Sequence, residues 1–157
     1  MALITLGKKA LPTGSVLQVV RKYTADTSAH ITTTSTSLVG TGFAQAITPT
    51  VVGSLLIIHF NDTMADANGD NTVMKTRMYY KIGSGSFASM PSANNYHIGY
   101  SANSTNRYAP LAHSSSITTT STDAYTFEPY FQSNNGNEVR FAHINSSIGM
   151  TIFEVAQ

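Results

Sequence analysis

Apolar and polar positions alternate most clearly near the end of the chain. Between Ala124 and Gln157, Tyr125, Phe127 and Phe131 fall on alternate positions, with Thr126, Glu128 and Gln132 between them. That is the period of two expected of a strand buried on one face. Asn134-Asn135-Gly136 follows, and because Asn and Gly tolerate positive φ the pattern predicts a hairpin. It returns as Glu138 to His143, with Val139 and Phe141 inside and Arg140 outside. Asn145-Ser146-Ser147 makes a second turn. The last strand is apolar on both faces, with Ile148, Met150 and Ile152 on one and Phe153 and Val155 on the other. Such a strand is expected to be covered on both sides, and the expected second cover is another copy of the same chain. Ile148, Met150, Ile152, Phe153 and Val155 are therefore the expected subunit interface.

Upstream, Ser15 to Tyr23 is rich in β-branched residues and predicts a first strand, and the Thr-rich His30 to Ser37 predicts an exposed one. Phe43 to Thr48 alternates until Pro49 ends it. Ser54 to Phe60 is the most hydrophobic run, too short for a typical helix, and predicts a central strand. Asn61 to Thr72 reads as a polar loop, Val73 to Ile82 as an alternating strand, and Phe87 to His113 as the least regular part. The hexamer ITTTST at Ile31 to Thr36 recurs at Ile117 to Thr122, but the flanks do not match, so it is not read as a duplication. No segment sustains a capped helical period. The expectation is an all-β domain of about eight strands over residues 15–157. Met1 to Gly14, punctuated by Gly7, Pro12 and Gly14, is expected to be an N-terminal arm.

Composition narrows the function classes. The 157 residues suit one core, and only 11% are charged, so the polar surface is built from Ser, Thr, Asn and Gln. The net charge is +1, with charges scattered singly, which disfavours nucleic-acid binding. There is no cysteine, hence no disulfide, thiolate metal site or cysteine nucleophile. No apolar run approaches the roughly 20 residues of a membrane helix, and the lysines of the N-terminus follow its apolar run instead of preceding it, so neither a membrane span nor a signal peptide is expected.

The opening GSVLQVV, the Thr/Ser-rich strand, TGFAQAITP, the LLIIHF run, the YxFxxxFxSNNG segment and the terminal MTIFEVAQ together resemble a family of small tailed-phage virion proteins. Its members are capsid decoration or cement proteins and the knobs of phage fibres. The resemblance covers Gly14 to Gln157 and implies a jelly-roll β-sandwich of the tumour-necrosis-factor and C1q kind, assembled as a homotrimer. Asp62 to His113 departs from the family pattern. The motifs are architectural and carry no catalytic, cofactor or metal residue.

Candidate chemistry is correspondingly sparse. Asp66, Asn68 and Asp70 alternate as calcium ligands do, but Gly69 comes too early and Arg77 stands where a closing Glu belongs, so they read as a loop tip. His30, His59, His97, His113 and His143 show no ligand spacing, and no G-x-S-x-G elbow is present. Lys75, Arg77 and Lys81 alternate on one strand face and read as a solvated face. The Tyr-rich stretch Asn94 to Arg107, with Tyr96, His97, Tyr100, Arg107 and the adjacent Tyr108, has the composition of recognition loops. It reads either as an outer loop or subunit seam, or as a contact for a host-surface glycan or a neighbouring virion protein. In the arm, Leu3, Ile4, Leu6 and Leu11 are expected to dock in apolar grooves of the major capsid protein, with Lys8 and Lys9 near acidic groups. The expected function is that of a non-enzymatic, trimeric cement protein on the outer capsid surface, assembled in the bacterial cytoplasm. A receptor-binding knob is the alternative, disfavoured because only about fourteen residues precede the first strand.

Overall fold

The computed structural model describes residues 11–25, 31–91, 96–98, 107–142 and 145–157, with backbone alone at 96–98 and 107–108. Its strands are β1 (Val16–Thr24), β2 (Ile31–Thr33), β3 (Val39–Gly40), β4 (Gln45–Ile47), β5 (Leu55–Ala67), β6 (Met74–Ile82), β7 (Ala88–Ser89), β8 (Tyr96–Ile98), β9 (Arg107–Thr118), β10 (Tyr125–Ser133), β11 (Val139–Phe141) and β12 (Ile148–Val155). No helix occurs among the described residues.

Several short strands are halves of one row. β1 pairs with β12 and β2 with β11, and the seven-residue step from Thr24 to Ile31 is matched by the seven-residue step from Phe141 to Ile148. Likewise β3 and β4 share β10, and β7 and β8 share β6. Taken as rows, sheet A is β1/β2, β12/β11, β5, β9, and sheet B is β3/β4, β10, β6, β7/β8, all antiparallel. The chain changes sheet at every connection except the one between β6 and β7. This is the order of a jelly-roll sandwich, with eight rows as the alternation predicts.

The core follows from the period of two. Tyr125, Phe127 and Phe131 of β10 face inward and are buried, as are Met74 and Met78 of β6, Leu56, Ile58 and Phe60 of β5, and Ile148, Met150 and Ile152 of β12. Phe60 stacks on Phe141 at 5.3 Å, and Phe131 reaches the same ring at 5.7 Å, joining the two sheets through aromatic contacts.

Two expectations fail here. Asn61 to Thr72 is not all loop, since β5 runs on to Ala67 with Asp62, Ala65 and Asp66 buried. Nor is Asn134-Asn135-Gly136 a hairpin turn: β10 lies in sheet B and β11 in sheet A, so the chain crosses between sheets. The asparagines bond to the distant β5–β6 connection instead. Val73 N–H donates to Asn134 Oδ1 (2.6 Å), while the amide groups of Asn134 and Asn135 donate to the carbonyls of Asn71 (3.0 Å) and Asp70 (3.2 Å). Val139 and Phe141 are buried as expected. Arg140 is mostly covered, because its guanidinium bridges Glu138 (2.7 Å) and the buried Asp66 (3.3 Å).

Asp62 explains how β5 stays in the sheet beyond Phe60. Between the pairs Asp62↔Ile148 and Asp66↔Arg140, β5 advances four residues while its partner row advances eight. Opposite β9 the register shifts between Asp62 and Ala65 as well. The Asp62 carboxylate caps this bulge, accepting from the N–H of Met64 (3.0 Å) and of Ala142 (2.8 Å). Ala142 sits at φ 54°, which a residue with a Cβ adopts at a cost. Replacing Asp62 with Ala should therefore lower the unfolding free energy by about 2–4 kcal/mol, measured by urea denaturation. A loss under about 0.5 kcal/mol, the size of an ordinary surface substitution, would show that the bulge holds without its carboxylate.

Candidate assembly and recognition surfaces

Outward positions of sheet A form continuous cross-strand rows. Val19, Phe153, Ile57 and Ser116 lie side by side, with Val155, Leu55 and Thr118 in a neighbouring row. Val16, Val19 and Tyr23 are about half exposed, at 54%, 50% and 50%. His59 packs edge-on to Phe153 (5.8 Å), and the Arg21 guanidinium lies over the Tyr23 ring (4.9 Å). Gly149 is small for a reason: a Cβ there would stand 2.9 Å from Asn61 Oδ1 and 3.4 Å from the Tyr23 ring. No Asp or Glu stands on the outward positions of these rows. The face is thus apolar at its centre and nearly uncharged.

The five residues expected at a subunit interface are divided by this geometry. Ile148, Met150 and Ile152 are spent on the chain's own core, at 2% exposure or less. Phe153 and Val155 are partly exposed on the outward face. Only those two are available to another chain, and their neighbours there are Val19, Ile57 and Leu55.

One end of the sandwich is organised by Glu154. Although β12 turns it into the interior, its carboxylate accepts from Gln18 Nε2 (2.7 Å), Thr50 N–H (2.8 Å), Val51 N–H (3.2 Å) and the hydroxyls of Ser54 (2.8 Å) and Thr50 (3.0 Å). Burial pushes its pKa up, but these hydrogen bonds outweigh burial and hold it below the usual carboxylate value. The foot of the arm is tied to the same end. Gly14 N–H donates to the Ala156 carbonyl (2.8 Å) and Ala156 N–H to Ser15 (2.9 Å), while Leu11 lines a groove with Leu17, Val51, Val52 and Ala156. Leu3, Ile4, Leu6, Lys8 and Lys9 lie outside the described residues.

Of the expected recognition segment, Tyr100 also lies outside the described residues. β8 pairs with β6 through Tyr96↔Thr76 and His97↔Lys75, which puts the backbone of Tyr96–Ile98 on an edge of sheet B. Arg107 and Tyr108 open β9, opposite Ala67 and Asp66. Asp66, expected at a polar loop tip, instead lies in β5 and is turned inward onto Arg140. Among the described residues no group of three or more metal-ligating side chains comes together. His59 faces outward, whereas His113 is buried, and burial lowers its pKa from 6.5 to about 4.

Sequence reasoning did not single out Val19 and Ile57 as neighbours of Phe153, or Tyr23 on the same face. The signal was present in SVLQVV and SLLIIHF, both apolar on two faces like the last strand. Asp62, His113 and Glu154 carried no signal, because polar residues inside a sandwich look like outward ones.

No protein-family model matches the chain, and no curated protein matches it. Among solved structures, it is similar over its whole length to a chain of infectious bursal disease virus Gt strain, at 13% identity and a TM-score of 0.42, and to one of the Gx strain, at 14% and 0.46. It spans only 43% and 42% of those chains. It is also similar to a chain of Desmodium yellow mottle tymovirus, at 12% identity and a TM-score of 0.32 over 99% of this chain and 94% of that one. At such identities and superpositions no residue role passes to this chain.

The two buried titratable groups give a two-step acid response. His113 favours its neutral form in the fold, so stability is complete above pH 6.5 and falls as pH drops towards about 4, by roughly 3 kcal/mol in all at 1.36 kcal/mol per pH unit. Glu154, with its folded pKa depressed, keeps its contribution above the ordinary carboxylate value of 4.5 and loses it below. Urea midpoints measured against pH should show both slopes. His113→Gln should remove the upper slope alone, and Glu154→Gln the lower alone. An unchanged upper slope in His113→Gln would refute the assignment.

Proposed function

We propose that the protein is a non-enzymatic structural component of a bacteriophage virion. It is a homotrimer that binds and stabilises the outer surface of the capsid, assembled in the cytoplasm of a bacterial host. The observation that carries this reading is the outer face of sheet A, an uninterrupted apolar row of Val19, Phe153 and Ile57 with no carboxylate to repel a like surface. Left in water, such a face is a sticky patch; covered by copies of itself, it is an assembly interface. The resemblance of Gly14 to Gln157 to phage decoration proteins supports the trimer and the capsid as partner. Gly14 and Leu11 are held at one end of the sandwich; on this reading the arm that precedes them docks on a neighbouring shell protein, and three weak arms on one trimer bind firmly through effective concentration.

The unmodified protein should sediment as a trimer at all accessible concentrations in analytical ultracentrifugation. Phe153→Asp, and the more exposed Val19→Asp, should sediment as folded monomers, because each puts a charge into an apolar contact. A monomeric unmodified protein would overturn the reading. Deleting residues 1–11 should leave the trimer melting normally but unable to coat capsids that lack the protein. Equal decoration by the truncated protein would remove the arm from its role. Purified virions should contain hundreds of copies, where a fibre knob would be present in few.

A further inference from the structure

The outer face of sheet B carries a second surface, of different chemistry. Lys75, Arg77, Tyr79 and Lys81 alternate outward along β6, beside Gln132, Tyr130, Glu128 and Thr126 of β10. Tyr79 and Tyr130 stack at 4.1 Å, Phe87 packs on Tyr130 at 5.8 Å, and the Lys81 ammonium lies 5.1 Å from the Phe87 ring centre. Glu128, the one acid in these two rows, is only 8% exposed, tucked beneath Gly40 with its Oε1 accepting the Gly42 N–H at 2.7 Å. Elsewhere Asp62, Asp66 and Glu154 are buried too, so half of the chain's eight carboxylates are withdrawn from the surface. The solvent-facing charge is therefore more positive than the formal +1, and three of the nine basic residues are gathered on this one strand face.

From this surface we infer that the protein binds an acidic polysaccharide. Among the described residues neither Lys75 nor Lys81 makes an ion pair. Six residues of strand separate them, about 20 Å at 3.3 Å per residue, so a small anion cannot meet both, whereas an extended chain with acid groups at intervals can. The aromatic residues decide which polymer. Tyr79 and Tyr130 turn a ring face on each other and Lys81 lies over Phe87, so these rings are partly taken up by one another and by a cation and do not line up as a row of open faces for successive nucleobases. What remains is a row of partly exposed side chains with phenol, amide and hydroxyl groups, from Tyr79, Tyr130, Gln132 and Ser89, suited to a chain rich in hydroxyls. The backbone of β8 pairs onto the same strand at Lys75. This inference goes beyond the structural role and stands whether or not the trimer decorates a capsid.

The test uses full-length protein and three probes at low salt: polygalacturonate oligomers, the same oligomers methyl-esterified to remove their charge, and oligothymidylate of matched length. Calorimetry should show binding of polygalacturonate that weakens as salt is raised. The methyl ester should not bind, and oligothymidylate should bind more weakly than polygalacturonate. Lys75→Gln with Lys81→Gln, both surface changes, should weaken polygalacturonate binding about tenfold. Tyr79→Phe with Tyr130→Phe, which keeps the rings and removes only the hydroxyls, should weaken it a few-fold. The inference is overturned if polygalacturonate does not bind, if the ester binds equally, if oligothymidylate binds as tightly or more tightly, or if the lysine variant binds like the unmodified protein.

Discussion

β12 is hydrogen-bonded along both edges, to β1 and to β5, and its apolar side chains are divided between two tasks. Its inward residues, Ile148, Met150 and Ile152, are part of the core that holds sheet A on sheet B. Its outward residues, Phe153 and Val155, make the centre of an apolar surface. Glu154 is the exception to the apolar rule inside, and it closes the end of the sandwich by gathering the Thr50–Ser54 loop and Gln18 onto the final strand. A buried carboxylate with five donors is tolerable; the same group with its donors removed would be a severe penalty. The end of the chain thus sets the register of sheet A, the closure of one end and the character of the outer face.

The same economy of charge appears elsewhere. Only 11% of residues are charged, and several carboxylates serve as internal fasteners: Asp62 at the bulge, Asp66 with Arg140, Glu128 under Gly40. Using acids inside leaves bases outside. The two outer faces consequently differ in kind, sheet A nearly neutral and apolar, sheet B cationic and rich in phenol groups, and a two-sided sandwich can present one to copies of itself and the other to a ligand.

Much of this was legible in the sequence wherever burial is one-sided and apolar. The alternation of Tyr125, Phe127 and Phe131 located an inward face correctly, and the row count followed from the spacing of such runs. What was illegible has a common cause, since it depended on partners far away in sequence. Asn134-Asn135-Gly136 has the local chemistry of a tight turn, but its amides are taken by residues 70–73, so the chain crosses sheets instead. Asp62 and Asp66 looked like loop residues because a polar side chain in a core is recognisable only from what it bonds to. The two-sided pattern of the last strand announced two covers without saying which residues face which, and Ile148, Met150 and Ile152 could be assigned to the internal core only once β10 and β6 were seen opposite them.

In the proposed assembly, the outer face of sheet A is covered by other copies of the chain. The absence of native cysteine allows a direct reading of coverage, because a single introduced thiol can be followed alone. Val19→Cys places it in the apolar row of sheet A, and Thr126→Cys places a control on the outer face of sheet B. Labelling by a water-soluble maleimide under native conditions should be strongly slowed at position 19 relative to position 126, and equally fast at both sites once the protein is denatured. Equal native rates at the two positions would contradict the account, since they would mean that the face built by β1, β12 and β5 is open to water.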